Sequence, residues 1–288
     1  MQGQKILGVL KDEMSHNQEL EDSIEKIKQF NEALVSRYGL STHLDFNHLI
    51  QQANHTQNLN LYTVNQNYQV RGEIIPGSNY GGDFFDMFPI GPNKVGLIIG
   101  DVSEKSAPAV LFMTIAKTMT HSLAKSIVSP KELIEKANLL LSYYNTSCMF
   151  LTAFYAIFDS KTGELTYCNA GHYPPYLLSS DGSLQKITEP TGMALGLREF
   201  LKENPPAYEE KTIQLKSKDC LIMYTDGVIT ASDHNGEDYS NERFEKALVR
   251  SAQKPFCELI ESVAEDIQDF AGRPDQRDDI TIFSLRYL

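Results

Sequence analysis

Two helical segments follow one another between groups of strands, and this order constrains the fold more than any other feature of the chain. Pro108–Ile127, PAVLFMTIAKTMTHSLAKSI, carries apolar residues at helical spacing behind an opening proline, and Pro130–Tyr144 repeats the pattern. Before them, YQVRGEII (Tyr68–Ile75), DFFDMFPI (Asp83–Ile90) and KVGLIIGD (Lys94–Asp101) read as strands. After them come FLTAFYAIFD (Phe150–Asp159), GELTYCNA (Gly163–Ala170) and PPYLLSS (Pro174–Ser180), with DSKTGE and SSDGS as hairpin turns. DCLIMYTDG (Asp219–Gly227) reads as a further buried strand, NERFEKALVRSA and PFCELIESVAEDIQDF as amphipathic helices, and DDITIFSLRYL as a closing strand. A parallel sheet needs a long crossover between neighbouring strands. Here helices come in pairs and strands in hairpins. The pattern predicts antiparallel sheets with helices packed outside, an α+β layered domain.

Ahead of this domain, residues 5 to about 37 read as a helix. A heptad places Leu10, Asn17, Ile24 and Asn31 at a, and Glu13, Leu20, Ile27 and Leu34 at d. Asparagines at a are a register device of two-stranded coiled coils. Glu13 at d, with Ile6, Leu7 and Met14 off the seam, suits instead an amphipathic helix packed on its own domain, and both readings stand. Gly39 and Ser41-Thr42 stop this helix and cap a shorter one, roughly Leu44–Ala53. The polar stretch NHTQNLN (Asn54–Asn60) is read as a linker. The expected domains are a helical regulatory or dimerisation segment, 1–57, and a layered domain, 58–288.

A formal charge of -12 excludes a general electrostatic footprint for nucleic acid or anionic lipid. It suits bound divalent cations, although most surplus carboxylates are solvated. Cys148, Cys168, Cys220 and Cys257 form no C-x-x-C pair and read as small buried hydrophobes rather than disulfides or zinc ligands. No apolar run reaches membrane-spanning length and the first residues are polar, so the expectation is a soluble, cytoplasmic protein.

Aspartate is a poor strand residue and costly to bury unpaired. This chain nonetheless puts it repeatedly at strand ends. Asp83 follows Gly81-Gly82, Asp101 ends GLIIG, Asp226 ends LIMYT, and Asp278 opens the doublet Asp278-Asp279. Each alone reads as a turn or cap residue. Together they can converge on one sheet edge, where several carboxylates tolerate each other only with cations between them. Oxygen ligands alone select Mg²⁺ or Mn²⁺ over zinc, and two such ions can hold a phosphoryl group and activate a water.

Taken in order, GGDFFDMF, IIGDVSEKSAPAVLFM, MFLTAFYAIFD, GELTYCNAGHYPPYLL, MALGL, CLIMYTDGVITA and DDITIFSLR resemble the bacterial serine/threonine phosphatases of the PPM (PP2C-like) superfamily. The branch is that of the stage II sporulation phosphatase and the stress-response sigma regulators, and the resemblance covers about residues 65 to 288. It implies an α-β-β-α sandwich with two Mn²⁺ or Mg²⁺ ions at one end. The family's metal positions fall on Asp83, Asp101, Asp226 and Asp278, with Asp101 bridging and the carbonyl of Val102 as a further ligand. Asp279 is the less favoured member of its doublet, because the family often has Asn there. Gly81, Gly82 and Gly227 would let backbone approach the cluster. The implied reaction is hydrolysis of phosphoserine or phosphothreonine by a metal-bridging hydroxide, without a phosphoenzyme.

The implied substrate is a phosphorylated STAS-type anti-anti-sigma protein, with the N-terminal helix mediating homodimerisation or activator binding. Ser103 stands where eukaryotic relatives have a histidine. His172, in NAGHYPP, is a candidate proton donor or, as the simpler reading, a residue that fixes its loop by hydrogen bonding. His121 reads as a helix-packing residue. Where the family usually reads GDVSGKG, Glu104 and Ser106 replace two glycines. Positive φ at either would cost about 1 kcal/mol or more. Glu104 would also add negative charge beside a site that must admit phosphate, or serve a metal-bound water. Two rivals remain. One is a catalytically silent phosphatase fold that binds a regulator in a partner-switching pathway. The other is a diguanylate cyclase suggested by GGDFF, which Phe84 disfavours because an acidic residue matters there.

Overall fold

The fold is described from a computed structural model, for residues 60–77, 81–145, 149–189, 191–197, 207–272 and 278–288. The heptad segment, the second helix, most of the linker and Cys148 lie outside the described residues.

Among the described residues eleven strands form two antiparallel sheets. The first four are β1 (Asn60–Val64), β2 (Tyr68–Ile75), β3 (Asp83–Pro89) and β4 (Lys94–Val102). Helices α1 (Ala107–Leu123) and α2 (Pro130–Tyr144) follow. Next come β5 (Leu151–Asp159), β6 (Glu164–Ala170), β7 (Tyr176–Leu178), β8 (Leu184–Lys186), β9 (Lys211–Gln214) and β10 (Cys220–Tyr224). A short helix α3 (Gly227–Thr230), then α4 (Ser240–Ser251), α5 (Phe256–Ala271) and β11 (Ile280–Tyr287) complete the chain. One sheet runs β1-β2-β11-β10-β7-β8 and the other β3-β4-β5-β6-β9.

Side-chain alternation makes the layers. On β4, Val95, Leu97 and Ile99 face the opposite sheet, with Phe154 and Phe158 of β5, Leu221 and Met223 of β10, and Phe283 and Leu285 of β11. Ile98 and Tyr155 point the other way and pack under Phe112, Met113 and Met119 of α1 and Leu133, Ala137 and Leu140 of α2. Ile222, Tyr224 and Ile282 lie under Phe244 and Leu248 of α4 and Leu259, Ile260 and Val263 of α5. The result is the α-β-β-α sandwich. Each fully buried Leu, Ile or Phe contributes about 1.5–3 kcal/mol to it. Phe85 and Phe283 stack across the sheets with centroids 4.9 Å apart, and so tie β3 to β11.

Capping sets the helix starts. Ser106 Oγ accepts from Ala109 N (3.3 Å) and Ser129 Oγ from Glu132 N (3.2 Å), each followed by proline in the first turn. Gly272 closes α5 with φ of 66°. β1 begins at Asn60, the last residue of the stretch read as linker. β9 had no reading from the sequence, and the predicted strand at Pro174–Ser180 shortens to Tyr176–Leu178. Cys168 and Cys220 are buried free thiols and Cys257 is a partly buried one. Among the described residues no helix is long and apolar enough to cross a membrane.

Candidate metal centre

The β3–β4 ladder places Asp83 opposite Asp101. Asp226 follows β10 directly, and Asp278 lies two residues before β11, the strand that pairs with β10. Four carboxylates from both sheets thus meet at one end of the sandwich.

Their electrostatics shows the crowding. Asp101 is raised to about 7, first by burial, then by the charges of Asp226 and Asp278, while hydrogen bonding with Asp83 and the charge of Lys105 oppose the rise. Asp83 is buried and pushed well above the carboxylate range by desolvation and by Asp101. Its Oδ2 accepts from the hydroxyls of Thr225 (2.6 Å) and Thr281 (2.5 Å), which oppose the shift. Asp226 is raised by burial and by Asp278. Although it stands at the start of α3, its side chain makes no cap bond there, and its Oδ1 is buried with no hydrogen-bond partner. Backbone N–H groups of Gly227 and of Asp226 itself oppose the rise, so the local turn serves part of this carboxylate and leaves Oδ1 unserved. A buried, unsatisfied carboxylate oxygen among other carboxylates calls for a cation.

The doublet divides its work. Asp278 Oδ1 pairs with Lys105 Nζ at 2.6 Å. Asp279 is buried, and its Oδ1 accepts from Gly77 N (3.0 Å). It too is raised by burial, with backbone donors of Gly77 and Asp83 opposing. Asp278 faces the cluster, whereas Asp279 braces the β2–β3 connection. Gly82 meets the cluster from the other side. A Cβ there would lie 2.9 Å from the Val102 carbonyl oxygen and 3.5 Å from Asp101 Oδ1. Gly81 lies against the Asp279 carboxylate.

The loop after Asp101 is firmly built. Ser103 N donates to Phe150 O (3.0 Å), and Phe150 N donates back to Ser103 Oγ (3.1 Å). Ser106 has φ of −148°, and neither it nor Glu104 is among the non-glycine residues with positive φ. The strain expected at these two positions is absent: Ser106 is an extended helix cap and Glu104 an exposed side chain.

His172 is buried and holds its loop. Its N donates to Asn169 Oδ1 (2.7 Å), Asn169 Nδ2 donates to its carbonyl (3.0 Å), and its Nδ1 lies 2.9 Å from Thr152 Oγ1. Thr152 is the ladder partner of Asp101. Burial lowers His172 to about 4, so near pH 7 the ring is a neutral imidazole and not an imidazolium acid. His121 packs on Phe88, with centroids 4.8 Å apart, and its Nδ1 lies 3.3 Å from Asp86.

Thr225, Thr281 and Lys105 were not read from the sequence. The signal for the threonines is a hydroxyl, in YTDG and DDIT, inside a buried strand end beside each metal-type aspartate. Among the described residues no three acidic, histidine or cysteine side chains are grouped so that they could hold a metal ion as they stand. Asp83 gives one oxygen to two threonines, and Asp278 gives one to Lys105. The donor set nevertheless fits a hard dication: carboxylate oxygens, the unsatisfied Asp226 oxygen, and a carbonyl kept clear by a glycine.

The family profile described as Stage II sporulation protein E (SpoIIE) matches residues 91–288. The phosphoserine phosphatase RsbU of Bacillus subtilis is 26% identical over 215 residues, covering 74% of this chain and 61% of that protein. Protein IcfG of Synechocystis sp. is 23% identical over 247 residues, covering 76% of this chain and 38% of that protein. The chain thus spans less than two thirds of either relative. The crystal structure of the RsbU and RsbW domains of Rv1364c from Mycobacterium tuberculosis superposes with a TM-score of 0.67 at 23% identity, over 80% of this chain and 62% of that one.

Proposed function

Because the chain belongs to the stage II sporulation protein E family of PPM phosphatase domains, we propose that it hydrolyses phosphoserine or phosphothreonine on a regulatory protein of the STAS-type anti-anti-sigma class. The observation that carries this reading is the convergence of Asp83, Asp101, Asp226 and Asp278 from both sheets, with one buried oxygen left unsatisfied. These four, with the carbonyl of Val102, would hold two Mn²⁺ or Mg²⁺ ions, Asp101 being shared. When bound, such ions neutralise phosphate charge and lower the pKa of water.

The chain's own residues do the positioning. Thr225 and Thr281 orient Asp83 from the opposite sheet. The ladder fixes Asp101, and the Ser103–Phe150 bonds fix the loop beyond it. His172 acts as a scaffold residue. The regulatory-protein substrate is supported by RsbU, a named phosphoserine phosphatase, and by the RsbU domain of Rv1364c, which was solved together with an RsbW domain. Residues 1–57 are assigned to dimerisation or activator binding, and 58–288 to the phosphatase domain. The deciding experiment is Mn²⁺-dependent phosphate release from a panel of phosphoserine STAS-type proteins, with the oligomeric state of the intact chain measured by ultracentrifugation. Release from none of them, with metal bound, sinks the reading.

The Lys105–Asp278 pair favours one rival, a silent module whose cluster is neutralised by its own lysine. Lys105→Gln separates the two. If the cluster binds metal, this variant is expected to take up Mn²⁺ about tenfold more tightly by calorimetry, because a competing cation is gone. Mn²⁺ uptake by Lys105→Gln alone, with none by the wild type, supports the silent module, and uptake by neither overturns both.

Glu104 gives a further expectation. Its exposed carboxylate repels incoming phosphate without straining the loop. Glu104→Gly should raise kcat/KM on a phosphopeptide by about two- to fivefold at low salt, and the gain should fade as salt screens the charge. A fall in turnover would instead make Glu104 an outer support of the metal site.

A further inference from the structure

Phosphate chemistry alone leaves a binding problem. The chain carries a formal charge of -12, so a phosphoprotein dianion is not drawn to it by long-range charge. Affinity for the parts of the substrate around the phosphate must come from contacts that do not depend on net charge.

The described residues include three exposed aromatic side chains: Tyr62, Phe150 and Tyr173. Tyr62 is on the edge strand β1. The other two are each 37% exposed, and both stand in segments tied to the strands that carry Asp101 and Asp226. Phe150 is bonded in both directions to Ser103, two residues after Asp101. Tyr173 follows the anchored His172, and its ring packs on Tyr224, two residues before Asp226, with centroids 5.8 Å apart. Its phenol feels the charges of both Asp226 and Asp101. One aromatic is thus anchored beside the metal strand of each sheet. The Phe150 backbone is held by hydrogen bonds to Ser103 and the Tyr173 ring by its packing on Tyr224, so little ordering entropy is lost when a ligand covers the rings.

We propose that Phe150 and Tyr173 form an aromatic rim that grips apolar residues flanking the phosphoserine, so that this phosphatase selects its substrate by peptide context as well as by phosphate. The inference rests on the phosphatase reading of the same cluster. It assigns the two rings to specificity and leaves the carboxylates their role.

The test uses two phosphoserine peptides, one with leucine or isoleucine on both sides of the phosphoserine and one with glycine there. The intact chain is expected to show a KM about tenfold lower for the apolar-flanked peptide, the yield of covering one aromatic side chain. Tyr173→Ala and Phe150→Ala should each remove most of that preference by raising KM for that peptide alone. The kcat and the Mn²⁺ affinity by calorimetry should stay at wild-type values. Tyr173→Ala, which gives up packing on Tyr224, should melt a few degrees lower without losing activity on the glycine-flanked peptide, at roughly 2–4 °C per kcal/mol. Tyr173→Phe should keep the preference, since the ring and not the hydroxyl makes the contact. Equal KM values for both peptides in the wild type overturn the rim, as does an equal loss on both peptides in the alanine variants. Absence of hydrolysis of either peptide by the Mn²⁺-loaded wild type brings down the phosphatase reading, and the rim with it.

Discussion

Asp101→Asn will retain less than about a thousandth of wild-type kcat/KM on a phosphoserine substrate, a loss of roughly 4 kcal/mol in transition-state stabilisation. The size follows from its place. Asp101 lies at the centre of the cluster, paired with Asp83 across the ladder and close enough to Asp226 and Asp278 for their charges to raise it. An amide there withdraws a full negative charge from the position assigned to both ions. The fold should not suffer. In the metal-free chain this carboxylate is crowded by three others, so the amide removes repulsion, and the metal-free melting temperature is expected to equal or exceed that of wild type. The contrast comes with metal. Mn²⁺ at about 100 times its Kd stabilises a binding-competent protein by about 2.7 kcal/mol, or roughly 5–10 °C in a domain of this size. Wild type should show that rise and Asp101→Asn should not. Near-normal turnover in the variant, with metal still bound, would remove Asp101 from the centre.

The parts of this architecture that show in the sequence are those whose burial is two-sided or periodic. β2 and α2 have the boundaries read from the residues, because Tyr68–Ile75 alternates and Pro130–Tyr144 is capped by Ser129 and Pro130. β9 did not show. Lys-Thr-Ile-Gln is a half-exposed edge strand with one apolar residue, and only its pairing to β6 makes it a strand. β1 hid for the same reason at the end of a polar stretch.

In the site, the aspartates were legible because carboxylates at strand ends conflict with local preference. The residues that hold them were not. Thr225 and Thr281 reach Asp83 across 142 and 198 positions of chain, and a hydroxyl near an aspartate in YTDG or DDIT does not say which distant carboxylate it will serve. Loop strain at Glu104 and Ser106 was expected from a glycine pattern. Ser106 avoids it by acting as an extended cap, a conformation open to any residue.

Gly227→Ala should be the most damaging change of a single methyl group. The glycine opens α3 immediately after Asp226, and its φ is not in the left-handed region, so backbone freedom is not the reason for it. The reason is contact. A Cβ would fall 1.9 Å from the carbonyl oxygen of Asp279 and 3.4 Å from Cβ of Asp278. Neither side yields easily. Asp279 is bonded to Gly77, and β11 is stitched to β10 by Thr225 N to Thr281 O at 3.1 Å. Overpacking of this kind costs about 1–3 kcal/mol, and the upper end is expected because the shortest contact is with the Asp279 backbone carbonyl. At about 2–4 °C per kcal/mol, the melting temperature should fall by roughly 6–12 °C. The displacement also separates Asp226 from Asp278, so Mn²⁺ binding should weaken at least about tenfold beyond the loss of stability. Gly91→Ala is the control, since nothing lies within 4 Å of its Cβ position and its φ is unstrained. That variant should melt within about 2 °C of wild type and bind Mn²⁺ normally. If Gly227→Ala behaves like Gly91→Ala, the close approach of α3 to the Asp278–Asp279 backbone is wrong, and with it the placement of Asp226 and Asp278 as neighbours.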